Sequence, residues 1–123
     1  MRLTLSLTAF LMLLIALNGC QAAGDTPEVA QMVSQGERIY QLNCQRCHHP
    51  NGEGYRQLFP RLAHNPIVTR HDPTPMIQIV KNGRGAMPGF DAALTNDEIA
   101  SVLTFIRNSW GNEADPILPE DVR

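Results

Sequence analysis

Cys44-Gln45-Arg46-Cys47-His48 sets two thiols three residues apart with an imidazole directly after the second. Side chains three apart on one helical turn project to the same side, so both sulfurs can bond the two vinyl groups of one porphyrin. The C-x-x-C-H pattern predicts covalent attachment of one haem c through Cys44 and Cys47, with His48 beneath the iron as proximal ligand. Such a histidine binds through Nε2, and its Nδ1–H needs an acceptor that fixes the ring. Paired cysteines have two other uses. A thioredoxin-like redox pair belongs in a βαβ context, and strand-like alternation occurs nowhere in this chain. A zinc site needs two further ligands, and His49, His64 and His71 stand at no finger spacing, so they read as loop residues.

The expected second axial ligand is Met87, within Gly83-Arg84-Gly85-Ala86-Met87-Pro88-Gly89-Phe90. Glycines allow close backbone approach to a porphyrin, proline stiffens the loop, and a His/Met pair raises the reduction potential. Met76 and Met32 compete for the role. Met76 shares an apolar helix face with Ile77, Ile79 and Val80, and Met32 precedes the first haem cysteine, so packing and linker roles suit them better.

The elements around these residues predict an all-α fold, a few short helices wrapped around one haem. Ser34 and Glu37 stand at capping-box spacing before Ile39, Tyr40 and Leu42, which predicts a helix over about 35–45 that delivers the chain to Cys44. From Pro50 to Pro75 the punctuators Asn51-Gly52, Gly54, Pro60, Asn65-Pro66 and Asp72-Pro73 predict loop, as expected where a chain wraps a cofactor. Thr74-Pro75 predicts a short helix to about Asn82, capped by Thr74 and stopped by Gly83. Thr95-Asn96-Asp97-Glu98 is a second capping box, with Ile99, Val102, Leu103 and Ile106 at helical spacing, and this helix is expected to end near Trp110.

The chain has 123 residues and a net charge of −2, from 10 basic and 12 acidic side chains, with Lys81 its only lysine. That fits one small domain and argues against nucleic acid as a partner, because phosphate binding needs clustered cations. Nine glycines and nine prolines leave few residues for a self-sufficient apolar core, and a haem would supply the missing apolar centre.

Residues 1–19 read as a lipoprotein signal peptide: Arg2, then an apolar run from Leu3 to Leu17, about 22 Å as a helix and short of the roughly 30 Å bilayer core. Leu17-Asn18-Gly19-Cys20 resembles the bacterial lipobox, which implies lipidation of Cys20 as the new N-terminus. Residues 20–33 are expected to form a flexible tether reaching at most about 45 Å, 34–112 the haem domain, and 113–123 a poorly ordered tail. The expected location is the bacterial periplasm, tethered to a membrane.

From about Gly36 to Trp110 the chain resembles a class I mono-haem c-type cytochrome. The resemblance rests on C-x-x-C-H, on Gly36 and Tyr40 ahead of it, on Pro60-Arg61-Leu62 and on Met87-Pro88. It implies that Gly36 permits a close crossing of the first and last helices, with Val102 and Phe105 facing. It also implies that the Pro60 carbonyl accepts from His48 Nδ1, and that Leu62 packs on the proximal haem face. More narrowly, residues 59–66 and 105–112 are similar to cytochrome subunits of bacterial membrane-bound alcohol and gluconate dehydrogenases. Those subunits carry three C-x-x-C-H motifs and a C-terminal membrane-binding segment; this chain has one such motif, the segment is expected to be missing, and His49 stands where the family often has glycine.

The resemblance implies a one-electron carrier rather than an enzyme, passing electrons between membrane or periplasmic oxidoreductases. Its partners would be dehydrogenases, reductases or oxidases. A subunit stably bound to a dehydrogenase or terminal reductase is a second expectation, and a haem enzyme or gas sensor with a labile Met87 is a third. Arg46, Arg56, Arg61 and Arg84 lie near the haem motifs, and Arg61 with Arg84 could form a basic ring around an exposed haem edge.

Overall fold

The computed structural model describes residues 26–55 and 57–123; Cys20, the signal peptide and Arg56 lie outside the described residues. Among the described residues the chain is all-α, with four α-helices, one 3-10 turn and two isolated bridges in place of any sheet. The helices are α1 (Pro27–Asn43), α2 (Gln45–His48), α3 (Thr74–Asn82) and α4 (Asn96–Arg107), and the 3-10 turn spans Pro119–Val122.

Helix α1 starts eight residues earlier than the Ser34–Glu37 pair predicts. Thr26 is the N-cap, its Oγ1 accepting from the Val29 amide at 3.3 Å, and Pro27 follows in the first turn, where a missing N–H costs nothing. Half of the expected flexible tether is therefore helix. Its buried face runs through Val29, Gly36, Ile39 and Tyr40, while Ser34 Oγ accepts from Arg38 instead of capping. The Ala, Gly, Pro and acidic composition of the segment hid this face, whose apolar anchors ahead of Gly36 are the buried Val29 and the partly buried Met32.

Helices α1 and α4 form the frame. A Cβ on Gly36 would overlap the Ser101 carbonyl oxygen and sit 2.6 Å from its carbon and 2.8 Å from Phe105 Cβ, so the two backbones touch at this glycine. Ser101 and Phe105 meet Gly36 there, and Val102, in the same core cluster as Tyr40, also lines the cleft described below. Tyr40, Phe105 and Trp110 close the crossing with ring centroids 5.0–5.5 Å apart. Gly36→Ala is expected to destabilise the domain by about 1–3 kcal/mol through overpacking against backbone that cannot yield; denaturant unfolding of the two proteins measures it.

Helix α4 begins as its motif predicts, with Thr95 and Glu98 capping reciprocally at 3.3 and 2.8 Å. These hydrogen bonds hold the Glu98 carboxyl below its ordinary range. The helix ends at Arg107 rather than near Trp110, where the Asn108 and Ser109 side chains turn back to the Thr104 and Phe105 carbonyls. Helix α3 has the expected bounds, but Thr74 is its first residue and not its cap: Pro73 is the N-cap, and Asp72 before it accepts from the Thr74 amide at 3.0 Å.

The C-terminal residues, expected to be poorly ordered, pack on this frame. Ile117 and Val122 are buried, the Ile117 backbone pairs with the Thr104 hydroxyl at 2.9 and 3.1 Å, and Lys81 Nζ donates to the Val122 carbonyl at 2.8 Å. Arg107, 1% exposed, donates to the carbonyls of Val68, Arg70 and Asp115 at 2.7–2.9 Å, tying the long loop and the C-terminal segment to the end of α4. Burial lowers its pKa, while Asp115 pulls in the opposite direction. No helix among the described residues is long and apolar enough to cross a membrane.

Candidate functional site

Between α1 and α2 the chain breaks at Cys44, and α2 makes a single turn that ends on His48. That break aims both sulfurs and the imidazole into one cleft, which has two adjoining halves sharing Cys44, His48, Pro60, Ile79, Arg84, Met87 and Phe90. Cys47 lines one half with Leu58, Phe59 and Pro88; the other runs inward to Val68, Met76, Leu94, Val102 and Ile106. Cys44 and Cys47 are half-buried and make no disulfide. Burial pushes the Cys44 thiol up to about 11, with Cys47 adding to the rise, so Cys44 is protonated at neutral pH in the haem-free chain.

The histidine is set for one ring orientation. His48 is 8% exposed, and its Nδ1 lies 2.9 Å from the Pro60 carbonyl oxygen, which can only accept, so Nδ1 carries a proton and the neutral ring offers its lone pair at Nε2. Pro60 is held in turn by the turn around it. Gly52, at φ 67, takes the Leu62 and Ala63 amides on its carbonyl at 2.7 and 3.0 Å, and a Cβ there would strike the Trp110 indole. Asn112, also buried, accepts from the His64 amide at 2.8 Å and donates to Leu62 and Ile106 at 3.1 and 2.8 Å, pinning the Pro60–Leu62 segment to α4.

Opposite, Met87 sits on a loop folded against the end of α3. Arg84 and Met87 exchange backbone hydrogen bonds at 3.0 and 3.1 Å, and the Phe90 amide donates to Val80 at 2.9 Å. Side chains at Gly83 or Gly89 would meet backbone at 2.5–3.0 Å, so the loop lies flush on its support. The fold thus brings Cys44, Cys47, His48 and Met87 to one cleft. Met76 lines the same cleft, 5% exposed in the core, whereas Met32 packs on the hydrophobic core and does not line the cleft. His64 and His71 are exposed, no group of three or more metal-binding side chains occurs among the described residues, and the zinc alternative finds no support.

His49 occupies φ 63 and ψ 157, a region that belongs almost solely to glycine. Its carbonyl is held by the Tyr40 hydroxyl at 2.6 Å and its ring stacks on Tyr55. Burial, with a smaller contribution from Cys44, raises the Tyr40 pKa far above neutral, so Tyr40 stays a donor. His49→Gly is expected to stabilise the domain by about 1 kcal/mol through relief of strain, read as a raised unfolding midpoint.

Arg61, expected in a basic ring, pairs instead with Glu53 at 2.9 Å, with both side chains about half exposed. Its charge is locally balanced, and Arg61 is not among the residues lining the cleft that Arg84 lines. Arg107, Asn112 and the Tyr40 hydroxyl are the contributors that sequence reasoning missed. Their partners lie 6–50 residues away in the chain, so no local motif announces them.

The family model described as "Cytochrome C oxidase, cbb3-type, subunit III" matches residues 31–106, and the chain belongs to this family of cytochrome c domains. The chain is 36% identical over 104 residues to the cytochrome c subunit of a quinone alcohol dehydrogenase from Gluconacetobacter polyoxogenes, covering 76% of this chain and 21% of that one. It thus spans about a fifth of the length of that relative. A cytochrome c6 from Diacronema lutheri is 27% identical over 81 residues, covering 64% of this chain and 98% of that protein. Cytochrome cL from Hyphomicrobium denitrificans shares the fold, with a TM-score of 0.52 and 24% identity over 72% of this chain and 62% of that one. Family membership makes this an electron-transfer domain and implies a covalent haem c, for which Cys44 and Cys47 are the attachment pair present.

Proposed function

We propose that the chain is a one-electron carrier whose haem c is bonded to Cys44 and Cys47, with His48 and Met87 as axial ligands. The haem iron, when bound, supplies the one-electron chemistry. The chain's own residues hold, orient and shield it. His48 presents Nε2 because Pro60 takes Nδ1–H, and a donor hydrogen bond of this kind also raises imidazole basicity. Met87 is carried by a loop locked to α3, so its sulfur is placed with little ordering left to do on binding. Val68, Leu94, Val102 and Ile106 keep water from the inner wall, which favours the less charged, reduced state. The observation that carries this reading is the convergence of the C-x-x-C-H turn, a proton-oriented His48 and Met87 on one apolar cleft.

Lipidation at Cys20 and a periplasmic, membrane-tethered location belong to the same proposal. Because α1 begins at Pro27, only the six residues Gln21 to Thr26 separate that cysteine from the helix, a reach of at most about 20 Å. Redox partners would then be met close to the membrane surface. A stably bound electron-transfer subunit is the second reading, supported by relatives that are named as cytochrome c subunits of a dehydrogenase and of a cbb3-type oxidase. Copurification with a catalytic chain separates it from a free carrier.

The test is an optical spectrum of the purified haem protein, oxidised and reduced, with and without carbon monoxide. A c-type spectrum unchanged by carbon monoxide is expected. Ready binding by the wild-type protein would overturn the His/Met assignment and favour a haem enzyme or gas sensor.

A further inference from the structure

We propose that Arg84 is the cationic partner of a haem propionate at the mouth of the cleft, and that its charge helps set how readily the iron accepts an electron. The proposal rests on the haem reading above. Haem c brings two carboxylates to a cleft whose walls are mostly aliphatic and aromatic, and an ionised carboxylate placed there without a partner would be costly. The carboxylates must therefore reach the mouth and either water or a donor of the chain.

Among the described residues Arg84 is the one side chain with a permanent charge that lines the cleft, and it lines both halves. The polar side chains beside it are already engaged. Asn65 donates to the Arg61 carbonyl at 2.6 Å and accepts from the Ile67 amide at 2.8 Å, the Asn43 amide group donates to Ile39 at 3.0 Å, and His48 Nδ1 is committed to Pro60. The other described cations near the motifs are elsewhere or paired. Arg61 is bound to Glu53, Arg107 is enclosed by three carbonyls, and Arg46 does not line the cleft. The Arg84 guanidinium, by contrast, has no hydrogen-bond or carboxylate partner of its own among the described residues, while its backbone is fixed by two hydrogen bonds to Met87. A planar guanidinium on an anchored backbone matches a carboxylate in bidentate fashion, which a solvated lysine would do less well. Neutralising a propionate removes a negative charge that favours the oxidised iron, so Arg84 raises the potential.

The experiment compares holoprotein of the wild type with Arg84→Lys, Arg84→Gln and Arg70→Gln, the last an exposed arginine away from the cleft. Midpoint potentials are measured at low and high salt, together with exchange of the arginine Nε protons in a nitrogen-15 spectrum of the reduced protein. The expected result is a lower potential for Arg84→Gln and a smaller fall for Arg84→Lys. Arg70→Gln should match the wild type, the Arg84→Gln difference should persist at high salt, and the Arg84 Nε proton should exchange more slowly than that of Arg70. A potential unaltered by Arg84→Gln overturns the proposal. So does a shift that salt abolishes, or an Arg84 proton exchanging as fast as that of Arg70. Absence of a c-type spectrum from the wild type would instead overturn the haem reading itself.

Discussion

Replacing Met87 with alanine should leave the haem covalently attached while lowering its reduction potential by roughly a few tenths of a volt, inside the roughly 0.8 V that axial ligands span. On the proposed ligation, attachment rests on Cys44 and Cys47 and the proximal side on His48 and its hydrogen bond to Pro60, not on the Met87 side chain. That support consists of backbone contacts at Gly83 and Gly89 and the Phe90–Val80 hydrogen bond, so the loop keeps its path. What is lost is the sulfur, and with it the preference for the reduced state that a thioether ligand confers. The variant should bind carbon monoxide where the wild type does not. Met76 lines the same cleft but belongs to the buried core between α3 and α4, so it is not expected to replace Met87; Met76→Leu in the Met87→Ala background should leave the carbon monoxide response unaltered. An equal response of wild type and Met87→Ala would remove Met87 from the coordination scheme.

Arg107→Met is expected to cost about 4 kcal/mol and to lower the thermal midpoint of the holoprotein by roughly 15 °C or more. The aliphatic stem is replaced at similar size, so packing is largely kept and the loss is polar. Three carbonyls, those of Val68, Arg70 and Asp115, lose a charged donor at 2.7–2.9 Å. The Val68 carbonyl, in a buried hydrogen bond, carries a desolvation penalty of about 1–3 kcal/mol once unpaired, the two part-buried carbonyls a smaller one, and the guanidinium also sits favourably at the C-terminal end of α4. Arg107→Lys should recover no more than about half of that loss, because one ammonium cannot reproduce a planar fork that reaches carbonyls on two segments. Circular dichroism melts of the three proteins check this. Unfolding midpoints within two or three degrees of wild type would show that the cluster is not a structural tie.

The chemistry-bearing residues were readable in the sequence because each belongs to a short motif whose meaning depends on nearest neighbours. C-x-x-C-H needs only one helical turn, Thr95 to Glu98 only the first turn of α4, and Met87-Pro88 only its own glycine-rich loop. Gly36 and Tyr40 were legible through resemblance, although the backbone that Gly36 meets proved to be that of Ser101. Thr26-Pro27 was a capping signal overlooked in a segment whose composition resembles a linker.

What the sequence by itself determined, then, is the all-α class, the bounds of α3, the start of α4, and the four side chains that converge on the cleft. Tertiary structure alone decided where α1 begins, how the C-terminal segment folds back, and how the proximal loop is held. Helix α1 extends to Pro27 because its face packs across α4; the C-terminal segment is ordered because Ile117, Val122 and the Thr104 hydroxyl meet there. Arg107 and Asn112 gain their roles from carbonyls and amides that become neighbours only after the chain has closed. A hydrogen bond between residues tens of positions apart has no sequence period, since its partners are backbone groups that every residue carries.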